Sequence, residues 1–419
     1  MALLGVGSIV SLGVLIWFLK KGRRDIERHA DTEAALRLAA KEASDAREKA
    51  EEREYRSSIN LKLALDKISG LEAPYERQLD ALRAENLRFE RKFELLREIS
   101  KGDGAEFWSL QASSTSIPDH YTAALRSSIP ILLFANQKGG VGKTTLSTNI
   151  AAYFSCRGEK VLLVDLDYQG SATGLLLAQA RQRPQEFPSM VDMLFATELD
   201  QSWHKTSIQA AANNLDYISC WYSFEKLERH LEYAWVLGDS TDDVRYRLAR
   251  ALLSRQIQTT YHRVIIDAPP RMTTGFINGF CAATHLFVPT VVDSVSAGAV
   301  GTFASRFNTL SKTANTVVNF SGVIGTMTPR RILAGQALGV VGTINANVRK
   351  ALGIQADYFM REAVMARSAV IGSAATDGIA YLCAGSDVRA MFDAIGQSIA
   401  ERAPLRRAPD ERTTVGSRS

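Results

Sequence analysis

The stretch Pro130-Ile-Leu-Leu-Phe-Ala-Asn-Gln-Lys-Gly-Gly-Val-Gly-Lys-Thr-Thr145 constrains this chain more than any other part of it. Its apolar run, Ile131 to Phe134, has the length and composition of a short buried parallel strand. A glycine-rich turn follows. It runs into Leu146-Ser-Thr-Asn-Ile-Ala-Ala-Tyr-Phe154, whose apolar residues recur at helical spacing. A strand, a glycine-rich turn and a helix in immediate succession are the context that a phosphate-binding loop requires. Gly139, Gly140 and Gly142 let the backbone curl until several N–H groups face one concavity, and the helix adds its positive end. Lys143 can then reach β- and γ-phosphates, and the hydroxyl of Thr144 can ligate Mg²⁺. The residues expected around a nucleotide are Gly139, Gly140, Val141, Gly142, Lys143, Thr144 and Thr145.

Two later apolar strands end in carboxylates. Val161 to Val164 leads into Asp165-Leu-Asp167-Tyr-Gln169, and Tyr261-His-Arg-Val-Ile-Ile leads into Asp267-Ala-Pro-Pro270. A carboxylate at the C-terminal end of a parallel strand faces the crevice where phosphates bind. Asp267 fits a Walker B position, which holds the Mg²⁺ shell through water. Further strands are expected at 215–219, 285–290 and 317–327, with helices between them. This alternation predicts an α/β fold, a mainly parallel sheet covered by helices on both faces. A chain of 419 residues, 46% hydrophobic, holds one such domain plus appendages.

Composition removes several function classes. Cys156, Cys220, Cys281 and Cys383 are far apart and form no Cys-x-x-Cys pair, which points to reduced, buried thiols in a cytoplasmic domain. The six histidines lack metal-ligand spacing, and there is no Gly-x-Ser-x-Gly nucleophile turn. The net charge of +5 is well short of a dedicated nucleic-acid binder.

A second lysine, Lys138, stands at the start of the loop. Lys138-Gly-Gly-Val-Gly-Lys-Thr-Thr145 resembles the deviant Walker A motif of the ParA/MinD family of partition and positioning ATPases, and the likeness extends over 129–402. The resemblance implies a P-loop NTPase that uses ATP and Mg²⁺, works as a homodimer, and answers to an activating protein partner. By resemblance, Lys138 reaches across the dimer interface to the partner's nucleotide. Asp165-Leu-Asp167-Tyr-Gln-Gly170 resembles the family's second motif, Asp-x-Asp-Pro-Gln-Gly, with Tyr168 in place of the proline. It implies that Asp167 positions the attacking water and that Asp165 acts near Mg²⁺. The expected catalytic set is Lys138, Lys143 and Asp167; the expected metal set is Thr144, Asp165 and Asp267. Thr326 to Pro329 correspond to the adenine-facing loop. Residues 330–367 carry six basic residues, Arg330, Arg331, Arg349, Lys350, Arg361 and Arg367, against two acidic ones, and the family often contacts DNA toward this end. The missing Cys-x-x-Cys pair disfavours the related iron–sulfur ATPases.

The N-terminal quarter is of another kind. Residues 2–19 carry no charge, and Lys20, Lys21, Arg23 and Arg24 follow at once. A helix of that length is about 27 Å long, the thickness of a hydrocarbon core. Residues 1–20 therefore read as a membrane anchor with everything downstream in the cytoplasm, on the inner membrane. Residues 21–100 hold 18 basic and 18 acidic residues, the composition of a solvated helix. From Leu61 a heptad places Leu61, Ile68, Tyr75, Leu82, Phe89 and Leu96 at d, and Leu65, Leu79, Asn86 and Phe93 at a. Residues 21–101 are read as a dimeric coiled coil; the other reading is one amphipathic helix lying on the ATPase domain. Pro74 is expected to interrupt or kink it. Residues 102–128, with Gly102, Gly104 and Ser113-Ser-Thr-Ser116, read as a linker, 129–404 as the ATPase domain, and 405–419 as a disordered tail.

Together these readings describe a membrane-anchored dimerising ATPase that positions or partitions a cargo, DNA or a protein complex. Two alternatives stand beside it. One is a membrane-associated tyrosine autokinase of the polysaccharide-export type, although 403–419 lack the C-terminal tyrosine cluster of those proteins. The other is a scaffold that nucleotide merely locks as a dimer.

Overall fold

The computed structural model describes residues 72–99, 104–109, 119–182, 189–237, 240 and 242–405. The expected anchor at 1–20, the charged region up to residue 71 and the tail from 406 lie outside the described residues. Among the described residues no helix is long and apolar enough to cross a membrane. The chain divides into two units, the boundary falling between Asp103 and Gly104.

The first unit is described by one helix, α1, Glu72–Ile99. Pro74 is the third residue of this described helix. Of the expected heptad seam, Leu79, Leu82, Phe89 and Phe93 all stand exposed in the single chain. Leu61, Leu65 and Ile68 lie outside the described residues.

The second unit is the α/β domain. Its labelled elements are α2 (Gly104–Ser109), α3 (Asp119–Ser127), β1 (Ile131–Phe134), α4 (Lys143–Cys156), β2 (Val161–Asp165), α5 (Ser171–Gln179), β3 (Gln209–Ala212), β4 (Leu215–Ile218), α6 (Ser223–Leu237), β5 (Arg263–Asp267), α7 (Thr274–Ala282), β6 (His285–Val291), α8 (Ser294–Thr313), β7 (Asn319–Thr328), α9 (Gln336–Leu352), β8 (Phe359–Ala366) and α10 (Ser386–Arg402). Among the described residues the strands form one eight-stranded sheet, ordered β3-β4-β2-β5-β1-β6-β7-β8. Every pairing is parallel except that of β3 with β4.

Both faces of the central strands are buried, which is why their sequences run continuously apolar. Leu132 and Phe134 of β1, Val161 and Leu163 of β2 and Ile265 of β5 join one core with Ile150 of α4, Leu176 of α5 and Phe392 and Ile395 of α10. Residues of the other parity face α7. A Cβ added at Gly279 would lie 3.2 Å from Leu133 and 3.3 Å from Ile266, so this helix rests on the sheet. Phe276 and Phe280 then meet Phe303 and Phe307 of α8 edge to face.

Of the four thiols expected to be buried, Cys220 and Cys281 are, while Cys156 and Cys383 are exposed. Within 102–128, read from the sequence as a linker, the described residues form two helices. Helices α2 and α3 belong to the α/β unit, which therefore starts at Gly104 rather than 129. Trp108 is fully buried, Leu125 nearly so, and Tyr121 stacks on Tyr246 with ring centroids 5.7 Å apart. Isolated aromatic anchors, not an apolar periodicity, hold this arm. Two strands are also additional to the expected set. β3 is four residues of Gln-Ala-Ala-Ala, and β8 carries the exposed pair Arg361-Glu362 in its middle.

Candidate active site

Because β2, β5 and β1 are neighbours, the segments leaving their C-terminal ends meet. Asp267 is in register with both Asp165 and Phe134, so the phosphate loop after β1 opens beside two strand-end aspartates.

The loop is shaped from beneath. Asn136 donates its amide to the Pro289 carbonyl at 2.7 Å and accepts the Lys138 N–H at 3.0 Å. Thr326 of β7 donates its hydroxyl to the Val141 carbonyl at 2.9 Å, which fixes the crest of the turn. Gly140 and Gly142 have φ of 69° and 82°, the left-handed region that a side chain resists. Gly142 is the N-cap of α4 and offers no side chain to satisfy the first N–H groups of that helix. Those donors are left for an anion.

Lys143 is buried, and its ammonium reaches back to the Lys138 carbonyl at 3.3 Å. Burial lowers its pKa, while the carboxylates of Asp267 and Asp167 pull the other way and favour the charged form. Thr144 donates its hydroxyl to Asp267 Oδ2 at 2.7 Å. The other oxygen, Asp267 Oδ1, is buried without a hydrogen-bond partner. Burial raises the pKa of Asp267, and the neighbouring Asp167 adds to it against the Thr144 hydrogen bond. An orphaned acceptor beside a hydroxyl oxygen, at the mouth of an anion cradle, is a fit for a hydrated divalent cation.

Asp165 differs from Asp267. Its Oδ1 accepts the Asp167 N–H at 3.0 Å, and its Oδ2 accepts the N–H and hydroxyl of Thr173 at 2.9 and 2.8 Å. Burial and the proximity of Asp267 push its pKa well up. Both oxygens of this expected metal ligand are thus engaged in shaping the β2–α5 loop. Asp167, at the top of that loop, accepts the Gln169 N–H at 3.1 Å. Burial raises its pKa, and Lys143 and Arg271 lower it.

Lys138 lies with the loop, but its ammonium docks on its own chain, donating to Ser296 Oγ at 2.9 Å in the first turn of α8. Beyond Thr145, a cavity of about 390 Å³ is lined by Thr145, Met327, Met365, Arg367 and Ile371. Of the expected adenine-facing residues, Met327 lines this cavity, while Thr326 sits under the loop. Met365 and Arg367 were not expected here, since the strand that carries Met365 and leads into Arg367 is broken by charge in the sequence. Arg349 of the basic set is paired with Asp357, and Arg331 donates to the Ala390 carbonyl. Arg330, Lys350, Arg361 and Arg367 are exposed.

Residues 129–320 match the family model described as an AAA domain. The chain is 30% identical over 206 residues to the sporulation initiation inhibitor protein Soj of Bacillus subtilis, covering 49% of this chain and 75% of that one. It is 29% identical over 204 residues to the chromosome partitioning protein ParA of Caulobacter vibrioides, covering 48% and 70%. The solved structure of apo McdA from Cyanothece shares the fold, with a TM-score of 0.53 at 17% identity over 64% of this chain and 99% of that one.

Proposed function

This chain belongs to the ParA/MinD family of P-loop ATPases and hydrolyses ATP, and from that premise we propose that it is a membrane-anchored, dimerising ATPase that positions or partitions a cargo. The observation that carries the hydrolytic reading is the unpartnered oxygen of Asp267 beside the Thr144 hydroxyl, with Asp167 one strand away.

Gly139 to Thr145 cradle the triphosphate with backbone N–H groups, and Lys143 leaves the Lys138 carbonyl for the β- and γ-phosphate oxygens. Thr144 and Asp267 would hold Mg²⁺, Asp267 through water; bound there, the cation neutralises charge developing on the phosphates. Asp165 holds the Asp167 backbone in place, and Asp167 orients the attacking water. Lys138 leaves Ser296 and reaches the nucleotide of a second copy, so that two heads close on two nucleotides. The cavity lined by Met327, Met365 and Arg367 takes the base.

The apolar residues 2–19 with their basic flank support the anchor, the exposed seam of α1 supports parallel pairing, and the names of Soj and ParA support partitioning as the type of work. The exposed arginines and lysine near the end of the domain, together with an activating protein, are the candidate routes to cargo.

Asp167→Ala tests the core of this reading. ATP binding should survive nearly intact while turnover falls by orders of magnitude and closed dimers accumulate. Unchanged ATPase activity in that variant would refute the role of Asp167.

A further inference from the structure

Trp108 belongs to α2, ahead of the segment that matches the family model, yet it is fully buried in the α/β unit. Its indole N–H donates to the Met272 carbonyl at 2.8 Å. Its own carbonyl accepts from Arg245 Nη1 at 3.0 Å. The Arg245 guanidinium lies 4.5 Å over the ring of Trp235 in α6, and Trp235 is 6.1 Å from the Trp108 ring. Asp243 fixes Arg245 with a buried ion pair at 2.7 Å. The arm is thus plugged into a built socket.

What it grips is the loop between β5 and α7. That loop starts at Asp267 and carries Arg271, close enough to Asp167 to lower its pKa, immediately before Met272. Pro269 and Pro270 supply no N–H to fasten it. Its far end is held by α6, where Glu228 Oε1 accepts the Thr273 hydroxyl and the Gly275 N–H. The Ala268 N–H donates to the Phe134 carbonyl at its near end, and Trp108 fastens it at Met272. A buried indole N–H without an acceptor is costly, so the loop cannot leave Met272 in place of another carbonyl without penalty, nor can the arm withdraw without freeing the loop.

We propose that Trp108 is a positioning residue for hydrolysis: through the Met272 carbonyl it sets the loop from Asp267 to Thr273, and so makes the arm that precedes β1 a control point for turnover. The coupling is reciprocal. A change in the loop on nucleotide binding is felt at α2, and a displacement of α2 is felt at the loop. The proposal rests on the reading of Asp167 and Asp267 as the hydrolytic centre, but its signature is also visible without nucleotide.

The test uses the full chain and Trp108→Phe, which keeps an aromatic ring and removes the N–H. Its kcat should fall roughly five-fold, the scale of one lost hydrogen bond, with the KM for ATP unchanged. In the nucleotide-free protein, amide hydrogen exchange over 268–275 should quicken while that of 143–156 stays as in the wild type. A wild-type measurement guards against a variant that folds poorly: the Trp108 indole N–H resonance should be protected and should shift when Mg·ATP binds. Exchange over 268–275 that is unaltered by the substitution, or an indole resonance indifferent to nucleotide, would overturn the proposal. The exchange readout stands even if Asp167→Ala leaves hydrolysis intact, so the two readings fail separately.

Discussion

Asp267 and Glu228 are buried carboxylates put to opposite uses. Asp267 keeps one oxygen unpartnered beside Thr144, an arrangement that fits a nearby cation. Glu228 spends one oxygen on the Thr273 hydroxyl and the Gly275 N–H and is held without a full counter-charge. Burial, with Glu232 adding to it, pushes its pKa from 4.5 up to about 8. The unfolded chain ionises this group near 4.5 while the folded protein keeps it protonated, so its contribution to stability is complete below 4.5 and is lost as pH rises through about 8. Glu228→Gln retains the accepting oxygen and removes the titration. Thermal melts at pH 5 and pH 8 should show the variant gaining on the wild type as pH rises; parallel pH slopes would show that Glu228 is ionised in the fold. Lys138 shows how far single residues were legible. Its sequence position marked a lysine with a target other than its own phosphates, and the single chain parks it on Ser296, a contact that spacing does not reveal.

Strands β1, β2, β5 and β6 were legible because burial on both faces gives each an apolar run, and β4 and β7 were legible although polar residues and glycine interrupt theirs. β8 was hidden by Arg361 and Glu362, which are exposed in mid-strand, and with it went Met365, and Arg367 just past its end, at the cavity. The arm was hidden for another reason: α2 and α3 are held by Trp108, Tyr121 and Leu125, too few and too scattered to give a period. The three aspartates and the phosphate loop, by contrast, were all found at strand ends, since parallel topology brings those ends together. Helix α1 carries the element-level prediction. If its exposed Leu79, Leu82, Phe89 and Phe93 pair with a second copy, tethered heads meet at an effective concentration of order mM. Head closure on ATP should then be nearly independent of protein concentration in the full chain and strongly dependent on it for residues 104–419 alone. Second-order closure of the full chain at low concentration would show that α1 does not hold a dimer.

Along its sequence the chain joins a charge-free N-terminal stretch, a highly charged region and a hydrolytic head whose N-terminal arm is wired to its own active-site loop. If residues 2–19 anchor the chain as proposed, membrane attachment is independent of nucleotide and ATP governs only how the heads meet. The most direct measurement is inter-protomer crosslinking of the full-length protein in its native membrane after an alkaline carbonate wash, with and without Mg·ATP, beside Lys138→Ala. The protein should stay in the washed membrane under both conditions, and head-to-head crosslinks should appear with ATP in the wild type and be absent in Lys138→Ala, which still binds nucleotide through Lys143 and the loop. Release by the wash, or heads that crosslink equally with and without ATP, would contradict the account.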